Sequence, residues 1–433
     1  MIKSIFFGFS CIVAFLFADQ QDSFNVVVKD LMAAGKTVRI SPFKGIGVVT
    51  VNLCFKNVGE KLSPRHKESL VALLAKAMGD ATTSKTREQL QAYSLQHNVL
   101  VSFGVNDDDF VIVGKCPSHK LAELFCLLKD ILFYSRFNDR DLLRFKSEIT
   151  AGTLQSLQSP NSQLGELVKK TILPNHPYGT LQTTYLASLK NISSADLKSY
   201  MNAHFAQENL IVSACGDINE EDLIAQVSDI ISLLPKTLKI HLPQDVKLVG
   251  PYKEYTQSFP VPQTVIQMVH DGIDVHHPDF FALQIAMGCL GNPGIGVLWK
   301  KVRGEKGLTY GIGAGFSMQD HYNVFCIATS TQTETVEQTK EAIKGVLTDI
   351  CQNGFSTDLV DIVKKSFLGN YKRSFASTGH IAARLTKYQK EGRPLDFHKI
   401  LIEKVSALTV DDVNNAFKKF LKPDQFVVFT VGK

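Results

Sequence analysis

The sequence predicts an α+β protein built from two homologous halves, each a mainly antiparallel sheet backed by helices. Three observations carry this expectation. First, residues 187–217 and 403–433 repeat one another. Each runs from a Ser/Thr-x-x-Asp helix start, through an amphipathic helix and a polar turn, into an apolar, β-rich strand. Second, strands and helices come in groups rather than in strict alternation, the pattern of helices packed on one sheet. Third, the stretch 235–255 carries Pro235, Pro243 and Pro251 and reads as a linker between the copies. The expected organisation is a leader at 1–18, a first half at 19–234, this linker, and a second half at 256–433.

The elements repeat in the same order. Helical periodicity falls at 63–78 and again near 277–290, and strands are expected from Leu100 to Gly114 and from Tyr310 to Ser330. Amphipathic helices follow at about 119–133 and 335–352. Phe137-Asn138-Asp139 and Phe355-Ser356-Thr357-Asp358 then open longer helical stretches at nearly the same offset. The closing strands align Leu210, Ile211 and Val212 with Phe426, Val427 and Val428.

Composition bounds the function. The chain has 433 residues, 44% hydrophobic and 21% charged, and a net charge of +5. That is ordinary for a globular protein of two or more domains. The Lys and Arg are scattered, which argues against a nucleic-acid surface. At the N-terminus Lys3 precedes an apolar run from Ile5 to Phe17, followed by Asp19-Gln20-Gln21-Asp22. This reads as a secretory signal peptide cut after Ala18, since the run is shorter than the roughly 20 residues a membrane span needs. Of eight cysteines, Cys11 lies in the leader. The remaining odd number, without any Cys-x-x-Cys pair, points to buried free thiols rather than to disulfides or a zinc knuckle.

Several segments look chemical and are weighed by spacing. His276-His277 are adjacent and precede Pro278, so they suit a helix start better than a ligand pair. His119 and Glu123 share a helical face, a common coincidence. Asp107-Asp108-Asp109, between two apolar strands, is most simply a hairpin turn, because a calcium loop needs more oxygen ligands at set spacing. Gly291-Asn292-Pro293-Gly294-Ile295-Gly296 lacks the Lys-Ser/Thr of a phosphate loop, and no Gly-x-Ser-x-Gly occurs.

Residues 297–310 read Val-Leu-Trp-Lys-Lys-Val-Arg-Gly-Glu-Lys-Gly-Leu-Thr-Tyr, and 174–179 read Pro-Asn-His-Pro-Tyr-Gly. With Asp196-Leu197 and Cys215-Gly216-Asp217, in that order and spacing, they resemble the insulinase/pitrilysin family of zinc peptidases, the inverzincins. The likeness is to the short bacterial and mitochondrial processing-peptidase branch, and it covers nearly the whole chain after the leader. It implies that the two halves form one side of a clamshell that a second subunit closes around a polar chamber. It also implies a His-x-x-Glu-His zinc motif on a helix of the first half. Here Leu73-Leu74 and the downstream Thr82-x-x-Lys85-Thr86 fix the register, and Ala72, Ala75 and Lys76 stand in the three chemical positions. The distal Glu ligand should fall at Gly152 or Thr153; Glu148 lies early and reads as a solvated helix residue. A catalytic zinc needs about three protein ligands, so no metal is expected in this chain.

What the resemblance leaves intact is Arg303 and Tyr310. In the family the matching pair binds the substrate carbonyl near the scissile bond, a role that suits fixed hydrogen-bond donors. The plainer reading is that Arg303 caps a helix or pairs with Glu305, and that Tyr310 fills strand core. The resemblance therefore implies a non-catalytic, substrate-binding subunit of a heterodimeric zinc metallopeptidase. It would have no activity alone, and would supply Arg303 and Tyr310 in trans to zinc held by a homologous partner. The alternative is an inactive peptide-binding or scaffold protein acting without a zinc partner, as a homodimer when alone. Either would take extended peptides by strand addition, and Leu100–Val105 matches the family's substrate-pairing edge strand, though Val101-Ser102-Phe103-Gly104-Val105 departs from its usual polar signature. The leader and the branch together imply a Gram-negative periplasm.

Overall fold

The protein is described by a computed structural model over residues 26–237, 242–248 and 253–433. The expected leader, including Ala18 and Cys11, lies outside the described residues, as do parts of the expected linker.

The first half contributes strands β1 (Lys29–Ala33), β2 (Lys36–Pro42) and β3 (Val48–Phe55), then helices α1 (Leu70–Ala77) and α2 (Arg87–His97). The hairpin β4 (Leu100–Val105) and β5 (Phe110–Pro117) leads into α3 (Leu121–Tyr134), α4 (Asp139–Ser156), α5 (Pro160–Ile172), α6 (Gln182–Leu189) and α7 (Ser194–His204). Strand β6 (Leu210–Gly216) and helix α8 (Glu220–Leu233) close it. The second half runs β7 (Lys253–Ser258), β8 (Gln263–Asp271), α9 (Phe280–Gly291), β9 (Ile312–Met318), β10 (Asn323–Gln332) and α10 (Val336–Asn353). It ends with α11 (Thr357–Arg373), α12 (Thr378–Lys390), α13 (Phe397–Ala407), α14 (Val410–Phe420) and β11 (Val427–Gly432).

The repeat is visible in the pairing. One sheet is ordered β1-β2-β6-β3-β5-β4 and the other β7-β11-β8-β10-β9. In each, the closing strand lies parallel to one neighbour, β2∥β6 and β7∥β11, and antiparallel to the next. All other pairs are antiparallel. The two repeated helices begin with the same device. Ser193 and Thr409 each cap the backbone N–H three residues on, while Asp196 and Asp412 accept from the cap residue's own N–H at 2.8 Å. Lys67 adds to this at Asp196, holding its carboxyl down at about 2.

Helix α1 starts later than the periodicity suggests. Pro64 and a left-handed His66 (φ 66°) keep the chain non-helical until Leu70. The second copy likewise begins after Pro278, at Phe280.

Each sheet is backed by helices, as expected, and both of its faces are covered. Alternate residues of β3 and β6, among them Val49, Val51, Leu53, Val212 and Ala214, bury into the first half's own helical core. The opposite face includes the polar Thr50, Asn52 and Ser213, all almost fully buried. They are covered by α12, a helix of the second half. Thr50 meets Thr378 at 2.8 Å, and Ser213 meets Thr386 at 2.6 Å and the Ala382 carbonyl at 2.8 Å. Reciprocally, α5 of the first half lays Leu164 and Val168 on Val265, Val269, Phe429 and Val431 of the second sheet. Each half therefore lends one helix to the other.

The described cysteines are free thiols, and burial pushes Cys54, Cys116 and Cys289 up to about 12. Cys126 departs from the expectation: it lies on the outer face of α3 and is exposed.

Thr386 is the hub of the polar seam. It bonds Ser213, reaches Asn52 at 3.4 Å and donates to the Ala382 carbonyl. Thr386→Val keeps the shape and strands these groups. It is expected to lower unfolding free energy by about 1–2 kcal/mol in urea titration.

Candidate functional site

Helix α1 carries the degenerate positions on one face. Val71, Leu73, Leu74 and Ala77 are buried in the core. Ala72 and Ala75 are half-buried on the other side, and Lys76 is exposed. That face looks toward α4, where Glu148 Oε2 lies 3.8 Å from Lys76 Nζ. Glu148 is thus a paired residue and not a purely solvated one. Arg144 bonds both Glu148 (3.2 Å) and Asp80 (3.0 Å), and Arg87 joins at Asp80 (3.2 Å). One turn beyond Glu148, Gly152 is open to solvent and Thr153 half-buried. A zinc ion does not fit this set. Three positions offer no donor, one offers an ammonium, and the single carboxylate is already neutralised by two cations. Among the described residues no group of three or more His, Cys, Asp or Glu is arranged to hold a metal.

Arg303 and Tyr310 sit in the second half, at the entrance to the edge strand β9. The glycine-rich loop makes the approach: Gly296 N–H returns to the Asn292 carbonyl at 2.8 Å, and a Cβ at Gly296 would meet the Asn292 backbone at 2.6 Å. The next turn, Trp299–Glu305, is π-helical. Val302 anchors it in the core while Arg303 projects outward. The Arg303 guanidinium stacks 4.2 Å from the Trp299 ring, and its Nε donates to the Tyr310 carbonyl at 2.8 Å. Thr309, buried and bonded to Thr329 and the Ser330 carbonyl, pins the backbone beside it. The Tyr310 side chain is 81% exposed. Tyr310 thus fills no core, and among the described contacts Arg303 pairs with Trp299 and the Tyr310 carbonyl, not with Glu305. Arg303 is oriented by a ring and a carbonyl, with its outer N–H groups left to face solvent.

Among the described residues each sheet ends in an edge strand, β4 in the first half, beside α1, and β9 in the second, beside the Trp299–Glu305 turn. Along β4, Leu100, Ser102 and Gly104 are exposed while Val101, Phe103 and Val105 lean on the core. Such an edge offers backbone groups to an extended peptide.

The structure adds residues the spacing did not single out. Asp107-Asp108-Asp109 do form the hairpin turn between β4 and β5, but Asp108 and Asp109 are buried between the halves. Gly59 packs so closely on this turn that a Cβ would meet the Asp108 backbone at 2.4 Å. Asp108 accepts from the Tyr178 hydroxyl and from the Asp320 N–H (3.1 Å). Lys390 of α12 bridges Asp109 (2.5 Å) and Asp320 (2.9 Å). Burial alone would lower the Lys390 pKa, but the two carboxylates outweigh it and raise it. Burial pushes Asp108 up, with Tyr178 pulling the other way. This cluster borders a cavity of about 680 Å³ between the halves, which His276 also lines. The His-Pro-Tyr-Gly segment is thereby explained: His176 Nδ1 accepts the Tyr178 N–H, and Tyr178 locks the turn. The one available signal was that three consecutive carboxylates are more than a hairpin needs. His277, as expected, serves the start of α9 by accepting the Asp279 N–H at 3.1 Å.

Comparison with known proteins agrees with this arrangement. Residues 191–367, from α7 to α11, match the family described as the peptidase M16 inactive domain. The chain is 22% identical over 384 residues to a non-peptidase homologue, YmxG, of Helicobacter pylori, covering 85% of each protein. It is 20% identical over 303 residues to an uncharacterised zinc protease, YmxG, of Bacillus subtilis, covering 69% of this chain and 72% of that one. A solved peptidase M16 inactive domain from Pseudomonas fluorescens superposes with a TM-score of 0.84 at 23% identity, over 94% of this chain and 97% of that one. Among the described residues no helix is long and apolar enough to cross a membrane.

Two outcomes follow for the degenerate site. Zinc analysis of the purified chain should return well under one equivalent. Lys76→Ala should change unfolding free energy by less than about 0.5 kcal/mol, because a half-exposed ion pair contributes little.

Proposed function

We propose that this chain, similar over residues 191–367 to the peptidase M16 inactive domain, is an inactive member of that family and works as the non-catalytic, substrate-binding subunit of a two-chain zinc metallopeptidase. The observation that carries the reading is the asymmetry between the halves. The helix that would bear the metal has two alanines and a lysine. The opposite half keeps an arginine oriented by Trp299 and an exposed tyrosine, side by side at an unpaired strand edge.

In this role an extended peptide adds along the edge strand, and Arg303 and Tyr310 donate to the carbonyl oxygen at the bond to be cut. Negative charge grows on that oxygen during attack, and donors already aimed at it need no reorganisation. The backbone tie from Arg303 to Tyr310 serves this by fixing the two residues as one unit. Metal chemistry belongs to a homologous, zinc-bearing partner. Residues 19–234 and 256–433 act as the two halves of one clamshell wall, and the N-terminal leader directs the pair to the periplasm.

The test is to purify the chain with a candidate partner carrying His-x-x-Glu-His and to assay cleavage of an internally quenched peptide. Arg303→Ala and Tyr310→Phe should each lower kcat/KM by about 100-fold, the usual loss for one such donor, while the complex still elutes as a heterodimer. Unchanged kcat/KM in both variants would sink the shared-site reading. A homodimer that binds the peptide uncut and ignores the partner would instead support a scaffold protein.

A further inference from the structure

We propose that a pocket on the far side of α12, independent of Arg303 and Tyr310, binds a small monocarboxylate with an aromatic body. The pocket holds about 330 Å³, at the small end of ligand sites. Four helices of the second half wall it: Phe281 comes from α9, Phe367 from α11, Tyr388 from α12 and Phe397 from α13. Arg384 enters from α12.

Arg384 is held by rings and not by an acid. Its guanidinium carbon lies 4.8 Å from the Tyr371 ring centre, 5.2 Å from Phe375 and 6.0 Å from Tyr388. Its one described hydrogen bond is a long donation to the Tyr388 hydroxyl at 3.4 Å. Nε is buried with no acceptor. A guanidinium has five N–H donors in a planar fork that matches a carboxylate, and leaving a buried donor unmet is unfavourable. The nearby charges do not fill the gap. Glu391 is shared between Arg393 (3.0 Å) and Lys387 (3.7 Å), and so is unavailable to Arg384. The lining carries three cations against one anion and therefore favours a negative ligand. The ring walls set the rest of its chemistry, since an aromatic body stacks where a hydrated dianion would lose its water.

The site also has a lever. Arg384 lies on the helix whose other face carries Thr378 and Thr386 against the first sheet. A ligand that fixes Arg384 thus tightens the helix joining the halves.

The test is titration calorimetry of the full chain with 3-phenylpropionate, and separately with 3-phenylpropanamide, which has the same body without the charge. The acid should bind at least ten-fold more tightly than the amide, and Arg384→Gln should remove that preference. Equal affinity for acid and amide, or no binding of either to the unaltered chain, overturns the proposal. The comparison on the unaltered chain decides the matter even if Arg384→Gln fails to fold.

Discussion

Everything in this fold depends on a seam in which one half's helix is the other half's ceiling. A sheet with helices on one face leaves a second face to be hidden. In the first half that face bears Thr50, Asn52 and Ser213, groups that are unfavourable to bury without partners. Helix α12 supplies hydroxyls and a carbonyl to Thr50, Ser213 and the Asn52 amide nitrogen, so these groups find their partners only when the second half is docked, while Asn52 Oδ1 is left without one. The return contact is of the opposite kind. Helix α5 brings Leu164 and Val168 to an apolar face, so hydrophobic burial drives that side of the exchange. One contact gives register and the other gives affinity. The Lys390 bridge to Asp109 and Asp320 sits where the two meet, tying the β4–β5 turn of one half to the β9–β10 turn of the other.

This seam positions the functional surfaces. Helix α1 and the edge strand β4 belong to one sheet, and Arg303, Tyr310 and β9 to the other. Their relation is set by the packing of α5 and α12. Both contacts are made by buried side chains, hydrogen-bonded at α12 and apolar at α5.

Much of this was legible in the sequence because it is local. The repeated Ser193 and Thr409 caps, the apolar closing strands at Leu210–Val212 and Phe426–Val428, and the loss of ligands at Ala72, Ala75 and Lys76 are patterns of spacing and residue type. The placement of Arg303 and Tyr310 was legible as a segment, but their exposure was not, since an arginine and a tyrosine near a strand read equally well as cap and core. What stayed hidden is what depends on contacts between distant residues. Nothing near Thr50 announces Thr378, and nothing near Asp108 announces Tyr178 or Asp320. The start of α1 was misjudged for a smaller reason, since hydrophobic periodicity continued past Pro64 and His66, where the backbone could not follow.

The two alanines on α1 have a meaning apart from metal binding. Alanine is the best helix former, while histidine and glutamate hold a helix less well, by up to roughly 0.5 kcal/mol per position. A ligating helix must also crowd polar groups onto one face and hold them ready for an ion. With Ala72 and Ala75 in place, α1 carries none of that strain, and its outer surface is closed by an ordinary lysine–glutamate pair. The helix is an architectural rib, held by its buried Val71, Leu73, Leu74 and Ala77 and not by a metal. Folding of this helix therefore does not wait for an ion.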